Sequence, residues 1–485
     1  MIIKGKKNDW SVVIGIEVHA QINTKTKLFS NSGTLSDAMP NTQVSFFDIA
    51  SPGMLPVLNW NAVEKATLTG LAIGGNINKY SSFDRKHYFY PDLPQGYQIT
   101  QLYNPIVQGG QIEITKEDGT KKNIRINRIH IEQDAGKLIH DMHPNDSCVD
   151  LNRAGIPLME IVSEADMQSP HEACEYIRNL RAILRAINTS DADMDKGNFR
   201  CDINISVMPV GAREYGTRCE IKNVNSIKAI AKAIEYEVHR HIELIEGGEK
   251  VVQQTRLFDA KTETTRKMRN KEDEDDYRYF PDPDLLPIIL TEEFIENIRN
   301  SMPELPRQKI DRYITSYGLS EYDVSVIMLD DDTENFFENG VKTAKDVKNF
   351  TNLLLSEVLG RLKKIDANLS NCKINPQNLA ELSNLITDGT ISGKIAKDIM
   401  DIMLETGKKP AEIVNEKGLT QVTDKAAITE IIKKVLAENV SQIEEYKQGK
   451  TKVLGFLVGT IMKESKGKAS PVLVNQLLLE EINKI

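Results

Sequence analysis

Four short segments of the sequence place charged side chains at alternate positions. The first, VVIGIEVHAQI (residues 12–22), carries Glu17 and His19 two residues apart. Side chains two apart in a β-strand point to the same face, and the apolar residues of this segment occupy the opposite face. A merely water-facing strand surface is the alternative for this segment alone. A site at Glu17 and His19 therefore requires partners from other strands.

Three further segments supply such partners. RIHIEQDAG places residues 130, 132 and 134 on one face, FRCDINISV places residues 200, 202, 204 and 206 on one face, and TRCEIKN does so with residues 218, 220 and 222. If the four strands are neighbours in one sheet, their polar faces merge into a single patch. That patch contains Glu17, His19, Glu132, Asp202 and Glu220 and is bordered by Arg200, Arg218 and Lys222.

A patch of this composition suits phosphate chemistry. Clustered carboxylates repel one another unless a cation lies among them, and oxygen ligands at this density suit Mg²⁺, which bridges to phosphates. The bordering Arg and Lys side chains would neutralise charge on a phosphoryl group during its transfer. Imidazole is a poor ligand for Mg²⁺, so His19 is open to three roles: proton carrier, Mn²⁺ ligand or neighbour of the ligands.

The common nucleotide-binding motifs are absent from the sequence. GTISGK (residues 389–394) spaces its glycines wrongly for a P-loop and is followed by Ile395. No nucleophile elbow and no protein-kinase motif set occurs. ATP chemistry in this chain would therefore use a different architecture.

Strand patterns mixed with a few helices extend to about residue 290. Residues 111–134 are typical of a hairpin with Asp118-Gly119 in its turn. Ser169 is predicted to cap a helix that begins at Pro170. The HEAC cluster at residues 171–174 then lies in the first helical turn and needs no metal.

A second helix, at residues 225–249, is predicted to end at Gly247-Gly248. His239 and His241 diverge by about 200° on it, which excludes a shared ligand, and both are predicted to lie on the surface. Beyond residue 290 the pattern is helical, with a break near residues 406–410. The predicted fold class is therefore α+β: a largely antiparallel sheet with helices, followed by an all-helical C-terminal tail in two parts. The predicted domains are 1–292, 293–406 and 407–485.

Composition excludes several classes of protein. The chain has 485 residues, of which 27% are charged and 40% hydrophobic, and it contains no apolar run of membrane-spanning length. Its five cysteines form no C-x-x-C pair, which indicates reduced thiols. The N-terminus has no signal-peptide pattern, so a cytoplasmic location without membrane association is expected.

Charge is unevenly distributed along the chain. The net charge of −9 disfavours nonspecific binding of nucleic acid over the whole surface. Near the C-terminus, however, lysines outnumber a single acid, Glu464; they are Lys447, Lys450, Lys452, Lys463, Lys466 and Lys468. A phosphate-facing surface and the solvated edge of a helical bundle both fit this pattern.

A resemblance to a known family covers nearly the whole chain. GIEVHAQI, PGMLPVLN, FDRKHYFYPDLPQGYQITQ, HIEQDAGK, DLNRAGIPLMEIVSE, FRCDINIS, EIKNVNS, QQTRLFD and DDYRYFPDPDL follow one another as in the B subunit of the aspartyl/glutamyl-tRNA amidotransferases. The resemblance implies a cradle-shaped N-terminal domain that phosphorylates a misacylated tRNA. It implies a Mg²⁺ site on Glu17, His19, Glu132 and Glu220, and a helical tail whose lysines bind tRNA.

The resemblance also implies partners: an amidase (glutaminase) that supplies ammonia and a small third subunit. The leading hypothesis is that ATP with Mg²⁺ phosphorylates the side-chain carboxylate of Glu-tRNA(Gln), Asp-tRNA(Asn) or both, after which ammonia displaces phosphate. One rival hypothesis is a non-catalytic scaffold that binds tRNA. A small-molecule kinase is the third.

One segment departs from the family that the chain resembles. Many members carry two cysteine pairs for zinc where this chain has Ser30, Ser32, Ser45 and Asp48. A site of that kind requires thiolates, so structural zinc is predicted to be absent.

Two further motifs have more than one interpretation. FDRKHYFYPDLPQGYQ combines Lys86 and other cations with tyrosines, which suits either a rigid packed loop or stacking on the unpaired 3′ end of a tRNA. Lys86 alternatively lines an ammonia route. The acidic run at residues 272–276 suits a solvated loop or a lid over the nucleotide, with Arg278 reaching phosphate.

Overall fold

The structure, a computed structural model, describes residues 2–142, 145–270, 277–419, 425–447, 450, 453–465, 469 and 471–484. The chain divides into two compact units, Met1–Pro306 and Arg307–Ile485. The finer division into three domains, with boundaries at 292 and 406, stays a prediction.

Strands and four helices build the described part of the first unit. Its strands are β1 (Ile2–Lys4), β2 (Asp9–Gln21), β3 (Asn76–Ile77), β4 (Tyr80–Ser81), β5 (Asp84–His87), β6 (Tyr97–Thr100), β7 (Val107–Gln108), β8 (Gln111–Thr115), β9 (Lys121–Gln133), β10 (Lys137–Ile139), β11 (Cys148–Asp150), β12 (Pro157–Ser163), β13 (Phe199–Pro209), β14 (Cys219–Lys222), β15 (Gln254–Asp259), β16 (Thr264–Asn270), β17 (Phe280–Pro281) and β18 (Ile288–Ile289). Its helices are α1 (Trp60–Ala72), α2 (Pro170–Ala186), α3 (Ile227–Glu246) and α4 (Glu292–Ser301).

Eleven of the described strands form one sheet. Nine follow the order β16-β15-β14-β13-β2-β12-β9-β7-β3, with β1 beside β2 and β8 beside β9. The ladder between β14 and β15 is parallel, and the other ladders of this sheet are antiparallel. The four charged segments of the sequence are β2, β9, β13 and β14. The prediction of a largely antiparallel sheet is confirmed.

The apolar face of β2 lies in the core. Val12, Ile14, Ile16 and Val18 are at most 1% exposed and pack in one cluster with the inner residues of α2 and α3. Burying an aliphatic side chain of this size stabilises the fold by about 1.5–3 kcal/mol. A slip of one residue would turn all four to the polar face, so the hydrophobic pattern determines the register of β2.

Helix α3 corrects one prediction. His239 is exposed, as predicted, but His241 is fully buried, so its predicted surface position is wrong. Positions 234, 238, 241 and 242 share the face of α3 that packs on the sheet, because residues three and four apart lie together on a helix. The imidazole of His241 lies there, 3.3 Å from Glu237 of the preceding turn.

The second unit is helical throughout its described part. Its helices are α5 (Pro306–Thr315), α6 (Glu321–Ile327), α7 (Asp331–Val341), α8 (Val347–Asn352), a π-helical turn (Leu353–Val358), α9 (Leu359–Lys364), a 3₁₀ turn (Leu369–Asn371), α10 (Pro376–Thr387), α11 (Gly393–Thr406), α12 (Pro410–Lys417), α13 (Lys425–Glu438), α14 (Val440–Lys447), α15 (Val453–Glu464) and α16 (Pro471–Ile482). Its buried apolar residues form two clusters, one between residues 313 and 414 and one between residues 428 and 482. The predicted α+β fold class, with a helical tail, is confirmed.

Two smaller sequence predictions concern cysteines and membranes. All five cysteines lie in the described part of the chain, and each is free. Among the described helices, none combines the length and the apolar character needed to cross a bilayer.

Candidate active site

Four charged side chains form a row across four neighbouring strands. Arg200 of β13 lies opposite His19 of β2. Glu160 of β12 lies opposite His19 on one side and opposite His130 of β9 on the other. Residues directly opposite in an antiparallel pair have Cβ atoms about 4.5–5.5 Å apart, so neighbours in this row interact. The row thus brings a carboxylate between two imidazoles, with a guanidinium at its end.

Two carboxylates bind the same two histidines. His19 Nε2 lies 3.2 Å from Glu160 Oε2 and 3.6 Å from Glu132 Oε1. His130 Nε2 lies 3.3 Å from Glu160 Oε2 and 3.4 Å from Glu132 Oε2. Thr100 Oγ1 donates a further hydrogen bond to Glu132 Oε2 at 3.2 Å. We call His19, His130, Glu132 and Glu160 the histidine–glutamate cluster.

Burial and mutual attraction together determine the ionisation of this cluster. Burial opposes charge on both histidines, but the two carboxylates outweigh it, which raises the pKa of His19 and raises that of His130 to about 9. Burial alone would raise the pKa values of Glu132 and Glu160, but the neighbouring histidines hold both below their usual range. Without a bound cation, the cluster therefore neutralises its carboxylates with its own imidazolium groups, and a cation held there would displace the proton of His19.

A second group of carboxylates lies along β2, β13 and β14. Asp202 lies directly opposite Glu17, and two such carboxylates repel each other unless a cation is near. Lys222 supplies that cation, because its ammonium forms an ion pair with Asp202 and lies 3.7 Å from Glu220. Burial opposes this charge, but Asp202 and Glu220 raise the pKa of Lys222. Glu17 in addition accepts a hydrogen bond from Asn204 at 2.8 Å.

Arg200 is oriented by a buried aspartate at the end of β9. Its Nη2 lies 2.9 Å from Asp134 Oδ1, and the other oxygen of Asp134 accepts a 3.0 Å hydrogen bond from Gln21. Arg153 lies 3.7 Å from the same carboxylate. Burial alone would raise the pKa of Asp134, but the two guanidinium groups lower it. The Arg200 side chain is therefore held beside the histidine–glutamate cluster.

A cavity of about 430 Å³ opens above these groups. Its lining residues are His19, Lys86, Tyr88, Gln98, Glu132, Asp134, Ala135, Leu158, Arg200, Cys201, Asp202, Lys222, Asn223 and Asn225. This volume falls in the range of small-molecule and cofactor sites. Carboxylates, one imidazole and three cationic side chains therefore meet in one cleft.

The sheet face brings together most of the predicted site residues. Those that line the cavity are His19, Lys86, Glu132, Arg200, Asp202 and Lys222. Glu17 and Glu220 lie beside it on the same strands. Arg218 directly precedes β14 and is exposed. Arg278 is exposed too, and its carbonyl lies 3.1 Å from His87 Nδ1.

The predicted basic residues of the tail belong to the second unit. Lys450 and Lys463 are exposed, and Lys450 lies 3.4 Å from Glu445. Lys452, Lys466 and Lys468, together with the acidic run at 272–276, lie outside the described residues.

Glu160 and His130 are the functional candidates that sequence reasoning missed as site residues. Glu160 is the single acid in the otherwise apolar strand PLMEIVS, and this was the available signal. The strand of Glu160, β12, contains one acid and lacks the repeated alternation of charged residues seen in the other four segments. Only the strand order, in which β12 lies between β2 and β9, places Glu160 at the site. His130 shares the predicted face of Glu132.

A buried ion pair lies where the resembled family has its zinc ligands. Lys27 is fully buried, and its Nζ lies 3.1 Å from Asp48 Oδ2 and 3.1 Å from the carbonyl of Leu151. Asp48 also accepts hydrogen bonds from the Ser30 hydroxyl at 3.1 Å and from the Ser45 amide at 2.8 Å. The ammonium thus links the loop around residue 48 to the segment that precedes β12.

The donor atoms of the site fit a divalent cation. One ligand atom each from His19, Glu132 and Glu160 lie within 4.8 Å of one another. The two carboxylates suit Mg²⁺ or Mn²⁺, and the imidazole is a weaker ligand for Mg²⁺ than for Mn²⁺. The surrounding Lys86, Arg200 and Lys222 suit an anionic substrate such as a phosphate.

Comparisons with known proteins match nearly the whole chain. The family described as the GatB/GatE catalytic domain matches residues 12–296, and the GatB domain family matches residues 335–482. The B subunit of the aspartyl/glutamyl-tRNA(Asn/Gln) amidotransferase from Rickettsia bellii is 54% identical over 480 residues, which cover 99% of each chain. The proteins of the same name from Rickettsia canadensis and Rickettsia typhi are 54% and 53% identical, again over 99% of each chain.

Proposed function

This chain belongs to the B-subunit family of the aspartyl/glutamyl-tRNA(Asn/Gln) amidotransferases, and on that premise we propose that its polar sheet face phosphorylates a tRNA-bound carboxylate. The chain is one subunit of an ATP-dependent tRNA amidotransferase, a ligase with glutamine as amido donor, and it works with the amidase, with the small third subunit of the complex and with tRNA. The observation that carries the proposal is that His19 and Glu132 of the histidine–glutamate cluster meet Lys86, Arg200 and Lys222 in one cavity.

The first step activates an inert group. A carboxylate does not react with ammonia, because oxide is a very poor leaving group. A side-chain oxygen of the esterified glutamate or aspartate attacks the γ-phosphorus of ATP, a new P–O bond forms, and the bond to the β-phosphate oxygen breaks to release ADP. Arg200 and Lys222 stabilise the charge spread over the phosphoryl oxygens in this transfer.

His19, Glu132 and Glu160 would hold a Mg²⁺ ion, which supplies charge neutralisation for the phosphates of ATP. Glu17, Asp202 and Glu220 keep Lys222 charged and directed into the cavity. His130 keeps Glu160 ionised from the opposite side. Each acidic residue of the face therefore has a defined electrostatic role.

The second step forms the amide. Ammonia from the partner amidase attacks the acyl carbon, the C–N bond forms, and the C–O bond breaks as phosphate leaves with its electron pair. The attacking nitrogen loses a proton to the departing phosphate or to solvent. Lys86, on the cavity wall near Glu132, is placed to stabilise the acyl phosphate that ammonia attacks.

Three further properties belong to this proposal. We propose that the helical tail from residue 407 grips the tRNA body through its lysines, and that the protein acts in the cytoplasm on Glu-tRNA(Gln), Asp-tRNA(Asn) or both. The Lys27 ammonium at Asp48 supports a fold without structural zinc, because a dication at the same carboxylate would meet a fixed positive charge.

Replacing Glu132 with Gln tests the proposal. The variant keeps the size of the side chain but removes one charge from between His19 and His130. We expect amide formation that depends on ATP and misacylated tRNA to fall about 100-fold or more, while the Kd for tRNA stays within about twofold.

The matched control is Glu117→Gln. Glu117 is an exposed acid in the turn between β8 and β9 of the same unit. This variant should retain full activity. Full activity of Glu132→Gln would instead favour the scaffold hypothesis, and ATP turnover on free glutamate without tRNA would favour a small-molecule kinase.

A further inference from the structure

The segment Tyr277–Asp284 is anchored to β5 on both sides of Lys86. Phe280 pairs with Arg85 and Pro281 pairs with Asp84. Arg85 reaches from β5 to two carboxylates of the segment, with Nε 2.8 Å from Asp282 and Nη2 2.7 Å from Asp284.

His87, two residues after Arg85 on β5, provides a second anchor. The His87 ring stacks on Phe280 with centroids 4.9 Å apart and planes 24° apart, and His87 Nδ1 lies 3.1 Å from the carbonyl of Arg278. Side chains alternate along a strand, so Arg85 and His87 share the face that binds the segment, and Lys86 points the other way, into the cavity.

The start of the segment returns to Lys86. Arg278 has φ +47°, a left-handed conformation that a non-glycine residue keeps only when its surroundings impose it. Tyr277 directly precedes Arg278, and Lys86 Nζ lies 4.7 Å from the centroid of the Tyr277 ring. Tyr277 makes edge-to-face contacts with Tyr279 at 6.0 Å and with Tyr88 at 6.4 Å.

Aromatic faces attract a cation through their electron density, and the attraction strengthens where water is excluded. A lysine side chain has four rotatable bonds and needs such contacts to occupy one position. Among the contacts described for the Lys86 ammonium, the ring of Tyr277 is the nearest structural support, and Tyr279 buttresses that ring.

We propose that Tyr277 and Tyr279 are positioning residues: the ring face of Tyr277 holds the Lys86 ammonium in the active-site cavity, and Tyr279 keeps the Tyr277 ring in place. The inference deepens the proposed function and rests on the role given there to Lys86. The anchors at Arg85 and His87 make the aromatic pair part of a rigid support. Arg85 thus binds Asp282 and Asp284 a few residues after the two tyrosines, so the ion pairs and the aromatic contact belong to one short segment.

Two readouts test this positioning role. The full chain is reductively methylated with ¹³C-formaldehyde, and the dimethyl signal of Lys86 is assigned by its loss in Lys86→Arg. In the native protein this signal should be shifted upfield by the ring current of Tyr277. Amide formation is measured in parallel with the assembled amidotransferase and misacylated tRNA.

The double variant Tyr277→Leu/Tyr279→Leu should move the Lys86 signal to the position of exposed methyl-lysine and lower kcat about tenfold with an unchanged Kd for tRNA. The double variant Tyr277→Phe/Tyr279→Phe keeps both rings and should retain the shift and the activity. Tyr103→Leu, at an exposed tyrosine of the same unit, should behave as the native protein.

An unmoved Lys86 signal in the leucine variant would overturn the inference, and so would loss of the shift in the phenylalanine variant. If Lys86→Ala leaves amide formation unchanged, the role of Lys86 in the proposed function fails, while the NMR signal still decides whether the tyrosines position it. The two failures are therefore distinguishable.

Discussion

Lys27→Met is expected to destabilise the first unit without affecting the chemistry of its site. The substitution leaves the aliphatic part of the side chain in place and removes an ammonium that is fully buried. That ammonium binds Asp48 and the carbonyl of Leu151, both at 3.1 Å. Removing it leaves a buried carboxylate without its counterion.

The size of the effect follows from what remains around Asp48. Breaking a buried ion pair by removing one partner costs about 3–5 kcal/mol. The hydroxyl of Ser30 and the amide of Ser45 still donate to the carboxylate, which places the cost near the lower limit, at about 3 kcal/mol. Lys27→Met/Asp48→Asn removes the unpaired charge and should recover about half of that loss.

Urea unfolding followed by tryptophan fluorescence measures this cost. Both tryptophans of the chain, Trp10 and Trp60, lie in the first unit, and Trp10 is buried, so the signal reports that unit alone. Lys25→Met, at the exposed lysine two residues earlier, is the control. With excess Mg²⁺ present, EDTA should leave the midpoint of the native protein unchanged.

Two results would refute this reasoning. If Lys27→Met unfolded at the native midpoint, the ion pair would not support the loop. If EDTA lowered the native midpoint in the presence of excess Mg²⁺, a metal other than Mg²⁺ would stabilise this unit, contrary to the predicted absence of structural zinc.

Three other changes have defined outcomes. In single-turnover assays, Glu160→Gln should lower ATP- and tRNA-dependent amide formation about 100-fold, and a loss below about threefold would remove Glu160 from the site. Glu237 is buried and bound to Arg240 and Arg256, and these contacts lower its pKa to about 2 although burial alone would raise it. The stabilisation that the ionised carboxylate provides is therefore present above its unfolded pKa and is lost as pH falls from about 5 towards 2. In urea titrations over that range the native protein should lose on the order of 3 kcal/mol more unfolding free energy than Glu237→Gln, and parallel curves for the two proteins would contradict the assignment. Truncation after residue 419 leaves Ile413 and Val414 in the first helical cluster and removes the second cluster. It should weaken tRNA binding, raise KM for misacylated tRNA and reduce the slope of log affinity against log salt concentration by a little under one unit per lost phosphate contact. Unchanged affinity would reassign the tail to stability or to contacts with the partner chains of the complex.

Alternation in the sequence was sufficient to predict much of the site. Glu17, His19, Glu132, Asp202 and Glu220 were assigned to the polar faces of their strands because period-two patterning with a buried face determines which side each residue takes. The assumption that these strands share one sheet is confirmed by the strand order. Alternation assigns a face to each residue from the sequence of its own strand, whichever strand lies beside it.

Strand order and loop packing could not be predicted from alternation. Glu160 is a central residue of the site because β12 lies between β2 and β9, and this placement depends on long-range pairing that β12 itself does not encode. Lys27 and Asp48 are 21 residues apart in a segment without regular pattern, so only the folded loop brings them together. His241 was misassigned for a related reason, since helical spacing separates His239 from His241 but does not say which of them faces the sheet.

The central claim is that the side-chain carboxylate becomes an acyl phosphate on the polar face of the sheet. Glu-tRNA(Gln) or Asp-tRNA(Asn) with ¹⁸O in both side-chain carboxylate oxygens tests it most directly when it reacts with ATP, glutamine and the assembled amidotransferase. The account predicts that each released phosphate carries one ¹⁸O atom, because the oxygen that attacked ATP leaves with phosphorus when ammonia forms the amide. Amide formed at the normal rate with phosphate free of ¹⁸O would contradict the account.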